Sequence, residues 1–170
     1  MNITVVEANT SELLDACFAI RMAIFVEEQG VSASDEFDAF DALGTEARHI
    51  LLYVDGVPAA SSRLRIVEQV AKLERICVML DYRKHGLGRV LINKLEEMAR
   101  KDGLEKAKLH AQVQASGFYE RLGYAPASDV FMEDGIPHLL MTKKLNLETS
   151  SLRSKLACNS KKTPLSSLRQ

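Results

Sequence analysis

The sequence has few cysteines, no long apolar run and no excess of either charge. Its cysteines number three (Cys17, Cys77 and Cys158), an odd count without the C-x-x-C spacing of zinc or redox sites. No stretch approaches the ~18 consecutive apolar residues of a membrane span. Lys and Arg number 22 against 23 Asp and Glu, so the basic excess of nucleic-acid-binding domains is missing. These shortages argue against a metal site, a membrane protein and a nucleic-acid partner.

The composition is that of an ordinary folded domain. At 170 residues, with 46% of them hydrophobic, the chain suffices for one packed domain, which we place over residues 1–145. The first residues lack the basic and apolar segments of a signal peptide, and we expect reduced thiols in a cytoplasmic protein. Residues 146–170 are rich in Ser and Lys and predict a flexible tail, or alternatively a docking helix over residues 148–158.

Apolar periodicity and turn residues predict an alternation of strands and helices. Asp55-Gly56 separates two apolar runs and predicts a tight hairpin. Ser11 is a candidate N-cap for the first helix, and Asp102-Gly103 would end the second. The predicted strands are 3–6, 49–54, 57–66, 72–78, 107–113, 130–133 and 138–145; the predicted helices follow Ser11, carry Leu91, Leu95 and Met98, and span 116–122. This order favours an α/β or α+β sandwich around a mixed sheet.

The alternation of strand 72–78 contains a fault. Leu73 lies three residues before Ile76, whereas Ile76 and Val78 keep the strand spacing of two. One extra residue in the strand accounts for this shift, and such an insertion is a β-bulge.

The segment after this strand, here called the glycine loop (residues 83–89), carries the strongest chemical signal. It reads Arg83-Lys84-His85-Gly86-Leu87-Gly88-Arg89 and leads directly into a helix. Glycine lets the backbone approach a ligand, and the exposed N–H groups at a helix start favour an anion. With its cationic side chains, the loop predicts a phosphate or diphosphate site. It lacks the Gly-Lys-Ser/Thr of a P-loop, and Leu91 stands where a dinucleotide fingerprint needs a small residue.

Two segments together resemble the GCN5-related N-acetyltransferases (GNAT). The R-x-x-G-x-G pattern of the glycine loop is similar to the coenzyme A diphosphate loop of that family. Roughly thirty residues later, Gly117-Phe118-Tyr119-Glu120-Arg121-Leu122-Gly123-Tyr124 is similar to its F-Y-x-x-x-G-F/Y segment. The resemblance implies a mixed, mostly antiparallel sheet flanked by helices, acetyl-CoA as co-substrate and an amine as acceptor.

Further matches resemble the ElaA-like branch of the family. They are residues 21–29, Glu36-Phe37-Asp38-Ala39-Phe40-Asp41, His49, Leu109-His110-Ala111-Gln112 and Gly135-Ile136-Pro137-His138. Together these matches span residues 18–145, and the Ser/Lys-rich extension lies outside them.

The resemblance also implies a set of site residues. Ile76, Cys77 and Val78 would pair with the pantetheine arm as with an added strand, and a backbone N–H near Val78 would bind the thioester oxygen. Tyr119 would protonate the leaving thiolate. The diphosphate would lie on Arg83, Lys84, His85, Gly86, Leu87, Gly88 and Arg89.

The acceptor amine must lose a proton, and several residues are candidates for the base. Glu74, at the entrance of strand 72–78, is the first candidate. His110 and His138 are alternatives, because histidine titrates near neutrality. The acidic residues between Glu27 and Asp41 would draw a cationic amine into the cleft, or would form a solvated loop.

Two other functions stay open at this point. A non-catalytic acyl-CoA-binding or sensing domain would keep the glycine loop but leave Tyr119 idle. An acyl-homoserine-lactone synthase is the second, since Arg21, Phe25, Glu36-x-Asp38-x-x-Asp41 and Ser62-Arg63-Leu64-Arg65 also resemble that family, which does not normally carry R-x-x-G-x-G. The sequence does not indicate an oligomeric state, and a homodimer stays open.

Overall fold

The computed structural model describes residues 1–146 of the chain. Apart from Asn146, the predicted tail and its alternative docking helix lie outside the described residues. The strands are β1 (Ile3–Glu7), β2 (Arg48–Val54), β3 (Val57–Val67), β4 (Val70–Val78), β5 (Lys106–Gln112), β6 (Ala125–Pro126), β7 (Phe131–Glu133) and β8 (Ile136–Lys144). All seven strands expected from the sequence are present within a few residues, and the two-residue β6 is additional.

The strands form one mixed sheet in the order β1-β2-β3-β4-β5-β8-β6, and β7 pairs with β8 beside β6. Every pair is antiparallel except β4 and β5, which run parallel. The helix that connects β4 to β5 makes this parallel pairing possible, because a crossover is needed to bring the chain back to the same end of the sheet. The expected mixed, mostly antiparallel sheet is confirmed.

The described part of the chain has four α-helices: α1 (Ser11–Arg21), α2 (Ala33–Glu36), α3 (Leu87–Lys101) and α4 (Ser116–Arg121). A π-helical segment, Met22–Glu28, extends α1 without a break. The N-cap of α1 is Thr10 rather than the expected Ser11, because the Thr10 hydroxyl accepts a hydrogen bond from the Leu13 N–H at 3.3 Å. Gly103, with a φ of +77°, follows the end of α3 as expected.

The two faces of the sheet carry separate apolar clusters. On one face, α3 buries Leu91, Ile92 and Leu95 against strands β2 to β5. On the other, α1 buries Cys17 and Ile20 against β2 and β4.

The expected β-bulge lies in β4. The register of β3 and β4 pairs Ser61 with Cys77 and Arg63 with Glu74, so Ser62 faces two residues, Arg75 and Ile76. Arg75 takes a left-handed conformation with a φ of +54°, which turns the strand at this point.

Candidate active site

A slot opens between β4 and β5 at the level of the bulge. The parallel pairing extends over only three residue pairs and ends at Leu73 and Leu109. Beyond that point β4 has no partner on this side among the strands of residues 1–146, and a pocket of about 260 Å³ lies between the two strands. Side chains from several elements of the fold line this pocket, among them Phe25, Cys77, His110, Tyr119, Glu133 and His138.

The glycine loop lies at the end of β4, beside the slot, and turns into α3. Lys84 and Gly86 have left-handed backbones, with φ of +67° and +75°. Gly86 is the N-cap of α3 and provides no side chain, so the N–H groups at this helix start have no side-chain cap. Lys84, His85 and Arg89 are exposed around them. The arrangement presents backbone donors and positive charge to an anion.

Gly88 has a packing role that the sequence did not disclose. A Cβ atom at this position would lie 3.0 Å from Cζ of Phe118, which is closer than ordinary contact. The first turn of α3 therefore lies directly against α4, and the glycine loop and the F-Y segment meet here.

Arg83 has a protein partner in this structure. Its guanidinium donates to both carboxylate oxygens of Glu28, at 2.6 and 2.7 Å, and to the Val78 carbonyl at 3.0 Å. Gln112 at the end of β5 likewise donates to Gln29, at 2.8 Å. The end of the π-helical segment is thus tied to both strands that border the slot.

Tyr119 is buried at the slot, with its ring edge-on to Phe118 and Tyr124. Its hydroxyl has no hydrogen-bond partner among residues 1–146. Burial raises the pKa of Tyr119 above its usual value of 10.0, so the hydroxyl stays protonated at neutral pH. Burial likewise raises the pKa of the nearby Cys77 to about 12, and this thiol stays neutral.

Glu74 is enclosed by cations. Its oxygens lie 2.7 Å from Arg63, 2.8 Å from Arg65 and 3.1 Å from Lys72. Burial alone would raise the pKa of this carboxyl, but the hydrogen bonds and charges of these three groups outweigh it and lower the pKa from 4.5 to about 2. A carboxylate held in this way is a weak proton acceptor, and its contacts are those of a structural ion pair.

The acidic residues expected to attract a cationic amine are largely occupied within the protein. Arg21, which is buried, donates to Glu36 at 2.9 Å and to Asp41 at 2.6 Å. Arg63, also buried, donates to Asp38 at 2.8 Å. The charges of these three carboxylates are compensated inside the fold, and their contacts fix the segment after α1 onto β3 and β4.

His110, His138 and Glu133 form a cluster at the far side of the pocket. The His110 Nδ1 lies 3.0 Å from one Glu133 oxygen, and the His138 Nε2 lies 3.6 Å from the other. The hydrogen bond from His110 is the largest influence on Glu133 and lowers the pKa of its carboxyl. Sequence reasoning selected both histidines but missed Glu133. The signal for it was the alternation of strand 130–133, which sets Glu133 on the same face as Phe131.

A family model described as an acetyltransferase (GNAT) domain matches residues 27–145. This match includes the bulge of β4, the glycine loop, α4 and the β7–β8 hairpin.

The chain belongs to the GNAT family.

Similar proteins and structures agree with this assignment. A Bacillus subtilis (strain 168) protein, named provisionally as an acetyltransferase, is 54% identical over 131 residues, which cover 77% of this chain and 89% of the relative. The crystal structure of Escherichia coli ElaA matches with a TM-score of 0.75 and 27% identity, over 84% of this chain and 99% of that one. A Thermoplasma acidophilum N-acetyltransferase, solved in complex with coenzyme A, shares the fold with a TM-score of 0.65 and 16% identity, over 85% of this chain and 99% of that one.

The GNAT domain is therefore an acyltransferase, as the sequence predicted. Its pocket brings together Glu74, Ile76, Cys77, Val78, Arg83, His110 and Tyr119 from the expected site residues. Of the glycine loop, Arg83 lines the pocket, and the other loop residues follow it in the chain. Within residues 1–146, no group of three or more His, Cys, Asp or Glu side chains is placed to hold a metal ion, and no helix is both long and apolar enough to cross a membrane.

Proposed function

We propose that this GNAT protein transfers the acetyl group of acetyl-CoA directly to a primary amine. The observation that carries the proposal is the uncapped start of α3, which presents Gly86 and exposed cations beside a slot that contains Tyr119. The solved Thermoplasma complex supports coenzyme A as the donor, because that protein shares the fold. We assign the activity to one domain over residues 1–145.

The diphosphate of the coenzyme binds at the glycine loop. Backbone N–H groups from Gly86 to Arg89 point out of the helix start, and Lys84 and Arg89 supply charge at the same place. Arg83 joins them when it exchanges its ion pair with Glu28 for the diphosphate. His85 and Leu87 contribute through the backbone that shapes the turn.

The pantetheine arm enters the slot and pairs with β4 along Ile76, Cys77 and Val78. Ile76 is the second residue of the bulge, and Cys77 and Val78 follow it. Within residues 1–146 this stretch has no strand partner on the slot side, so its backbone N–H groups there are available to an extended ligand, although the Val78 carbonyl already accepts from Arg83. A backbone N–H near Val78 donates to the thioester oxygen, which becomes anionic when the amine attacks the carbonyl carbon.

Tyr119 assists the departure of coenzyme A. As the C–S bond breaks, the sulfur takes the electron pair and the Tyr119 hydroxyl donates its proton to it. The transfer is uphill, because a free thiol has a pKa of about 8.5 and a buried tyrosine has a higher one. The hydroxyl therefore acts first as a hydrogen-bond donor and gives up its proton only as the thiolate forms.

His110 is the base that we assign to the acceptor amine. It lines the pocket, its side chain is 29% exposed, and its ring lies on the face of the sheet away from α3. Glu74, the first candidate from the sequence, is the weaker choice because three cations already hold its carboxylate. The amine then enters from the His110 side and the coenzyme from the glycine loop.

Release of free thiol from acetyl-CoA tests the proposal. We expect turnover with at least one member of a panel of primary amines, and acetylated amine in equal amount by mass spectrometry. Coenzyme binding without thiol release for any amine would instead favour a binding or sensing domain. Absence of both binding and thiol release would contradict the proposal entirely.

A further inference from the structure

Strand register places four side chains on one face of the sheet, at the acceptor end of the pocket. Glu133 and Phe131 alternate along β7, and Phe131 is the Cα partner of His138 on β8. His138 alternates with Leu140, which is the Cα partner of His110 on β5. Because strand side chains alternate with a period of two, three adjacent strands direct Glu133, His138 and His110 to the same side.

The hydrogen bonds of the two rings determine which nitrogens carry protons. The Ile136 carbonyl only accepts, so the His138 Nδ1, at 2.6 Å, is its donor. The Glu133 carboxylate also only accepts, so the His110 Nδ1, at 3.0 Å, is protonated too. In neutral His110 the Nε2 is therefore the nitrogen that keeps a lone pair. Among residues 1–146 this atom has no hydrogen-bond partner.

The Glu133 carboxylate and the rings of His110, His138 and Phe131 are packed against one another. The Glu133 carboxylate lies between the two imidazoles, with His138 3.6 Å from its second oxygen. The Phe131 ring meets His110 edge-on at 5.1 Å and stacks on His138 at 6.1 Å. The charged groups that act on Glu133 are His110, His138 and Lys72 of β4. A ring with one nitrogen bound to a carboxylate and the other free in a pocket has the arrangement of an oriented general base.

We infer that Glu133 is a positioning residue for acetyl transfer: it orients His110 so that the His110 Nε2 accepts the proton of the acceptor amine. This inference rests on the proposed function. The amine nitrogen bonds to the carbonyl carbon and passes its proton to the His110 Nε2. The Glu133 charge stabilises the imidazolium that forms. His138 lies on the other side of the carboxylate and takes no part in the proton transfer.

A purely structural role of Glu133, as a contact that closes the β7–β8 hairpin, makes a different prediction. Such a contact would affect the melting temperature and would leave the pH dependence of catalysis unchanged. The test therefore compares Glu133→Gln, Glu133→Asp and the control Asp129→Asn, which removes the same charge from an exposed residue outside the pocket. The kcat/KM for an amine identified in the panel is measured from pH 6 to pH 9.5 in the intact protein.

For Glu133→Gln we expect kcat/KM for the amine to fall at least about tenfold, a conservative share of the 10²–10⁴ that a positioned base supplies. The acidic limb of the profile should move, because Glu133→Gln removes the negative charge beside the ring that takes the proton. The KM for acetyl-CoA should stay unchanged. Glu133→Asp should recover part of the rate, and Asp129→Asn should match the wild type.

Nitrogen NMR of the imidazoles at pH 9 adds a readout that needs no turnover. In the wild type we expect the His110 proton on Nδ1. In Glu133→Gln we expect the proton to exchange between Nδ1 and Nε2. An unmoved acidic limb in Glu133→Gln, or an unchanged His110 tautomer, would overturn the inference. A wild-type protein that turns over no amine would overturn the proposed function, and the inference with it, before any variant is made.

Discussion

Tyr119 and Tyr124 lie in one aromatic cluster, with ring centroids 6.2 Å apart, yet their hydroxyls have different surroundings. The Tyr124 hydroxyl donates to Glu96 at 3.0 Å. Glu96 also binds Lys143 at 2.8 Å, so Tyr124 belongs to a buried ionic group beneath α3. The Tyr119 hydroxyl faces the pocket instead. At the scale of single residues, two adjacent tyrosines thus have different surroundings, and only Tyr119 lines the pocket where we propose the reaction.

Tyr119 and Tyr124 give a prediction with a matched control for the proposed general acid, Tyr119. Tyr119→Phe should lower kcat about 10²-fold, because it removes a positioned proton donor, while leaving the affinity for acetyl-CoA nearly unchanged. Tyr124→Phe should lower the melting temperature and keep kcat close to that of the wild type. Steady-state thiol release and thermal unfolding of both variants check this. Equal kcat in Tyr119→Phe and wild type would exclude Tyr119 as the acid.

Glu74 shows what sequence reasoning could not supply at this scale. The sequence placed it at the entrance of strand 72–78, whereas it lies in the middle of β4 (Val70–Val78), where it lines the pocket. Its chemistry depends on Arg63, its Cα partner on the neighbouring strand, and on Arg65 and Lys72 around it. Which cations reach a carboxylate is set by strand register, and register was not available from a single sequence.

The glycine loop is an element whose position before a helix could be predicted from the sequence. Its composition indicated an anion site, and the structure adds the left-handed Gly86 at the start of α3. It also adds a contact that composition could not show, the ion pair between Arg83 and Glu28, because the two residues lie 55 positions apart. Contacts between distant segments depend on the packing of whole elements.

Substitution of Gly86 tests this element. Both Gly86→Asp and Gly86→Asn place a side chain of similar size at a φ of +75°, where Asn and Asp are tolerated better than other residues. They differ mainly in charge. We expect the Kd for coenzyme A to be roughly tenfold higher in the Asp variant than in the Asn variant, a difference of about 1.4 kcal/mol. Equal affinities by calorimetry would mean that the diphosphate binds elsewhere.

The ion pair between Glu28 of the π-helical segment and Arg83 of the glycine loop gives a second prediction. Glu28→Gln should free the Arg83 guanidinium for the coenzyme and lower the Kd for coenzyme A by up to about fivefold, since an exposed ion pair contributes about 0.2–1 kcal/mol. Glu27→Gln is the control, because it removes the same charge from the neighbouring exposed residue. A Kd that rises in Glu28→Gln, or changes equally in both variants, would contradict this competition.

The bulge of β4 is the element predicted most directly. The sequence spacing of Leu73 and Ile76 required one extra residue, and the structure places Arg75 and Ile76 opposite Ser62. By contrast, the two-residue β6 left no periodic signal. Short elements follow from tertiary contacts rather than from local patterns.

At the scale of the whole molecule, buried ion pairs join segments that the sequence left separate. Arg21 of α1 and Arg63 of β3 are both about 1% exposed, and between them they bind Glu36, Asp38, Asp41 and Glu74. The acidic segment between α1 and β2 is thereby fixed across the sheet. Alternation and turn residues sufficed for the order of elements, but this network needed the fold.

Because of this network, we expect the free energy of unfolding to decrease at acid pH. The folded-state pKa of Glu74 lies near 2, below its usual 4.5, so its contribution is fully present above pH 4.5 and is lost as the pH falls toward 2. Asp41, whose pKa is also lowered by its arginine partners despite burial, acts in the same direction. Glu74→Gln should reduce the free energy of unfolding at pH 7 by about 3 kcal/mol, because it leaves buried arginine charge unbalanced.

Urea unfolding of wild type and Glu74→Gln between pH 7 and pH 2.5 measures this effect. The difference between the two proteins should shrink as the pH falls, because protonation removes the same charge from the wild type. A constant difference across this range would mean that Glu74 does not carry the linkage. Folded Glu74→Gln should also retain acetyl transfer within a few fold, as expected for a residue that is not the base.

The central claim is that the glycine loop holds the diphosphate of coenzyme A, and calorimetry with two related ligands tests it most directly. Coenzyme A carries the diphosphate and pantetheine lacks it, while both carry the arm that enters the slot. The account predicts measurable binding of coenzyme A to the folded wild-type protein and much weaker binding of pantetheine. No binding of coenzyme A, or equal affinity for the two ligands, would contradict it.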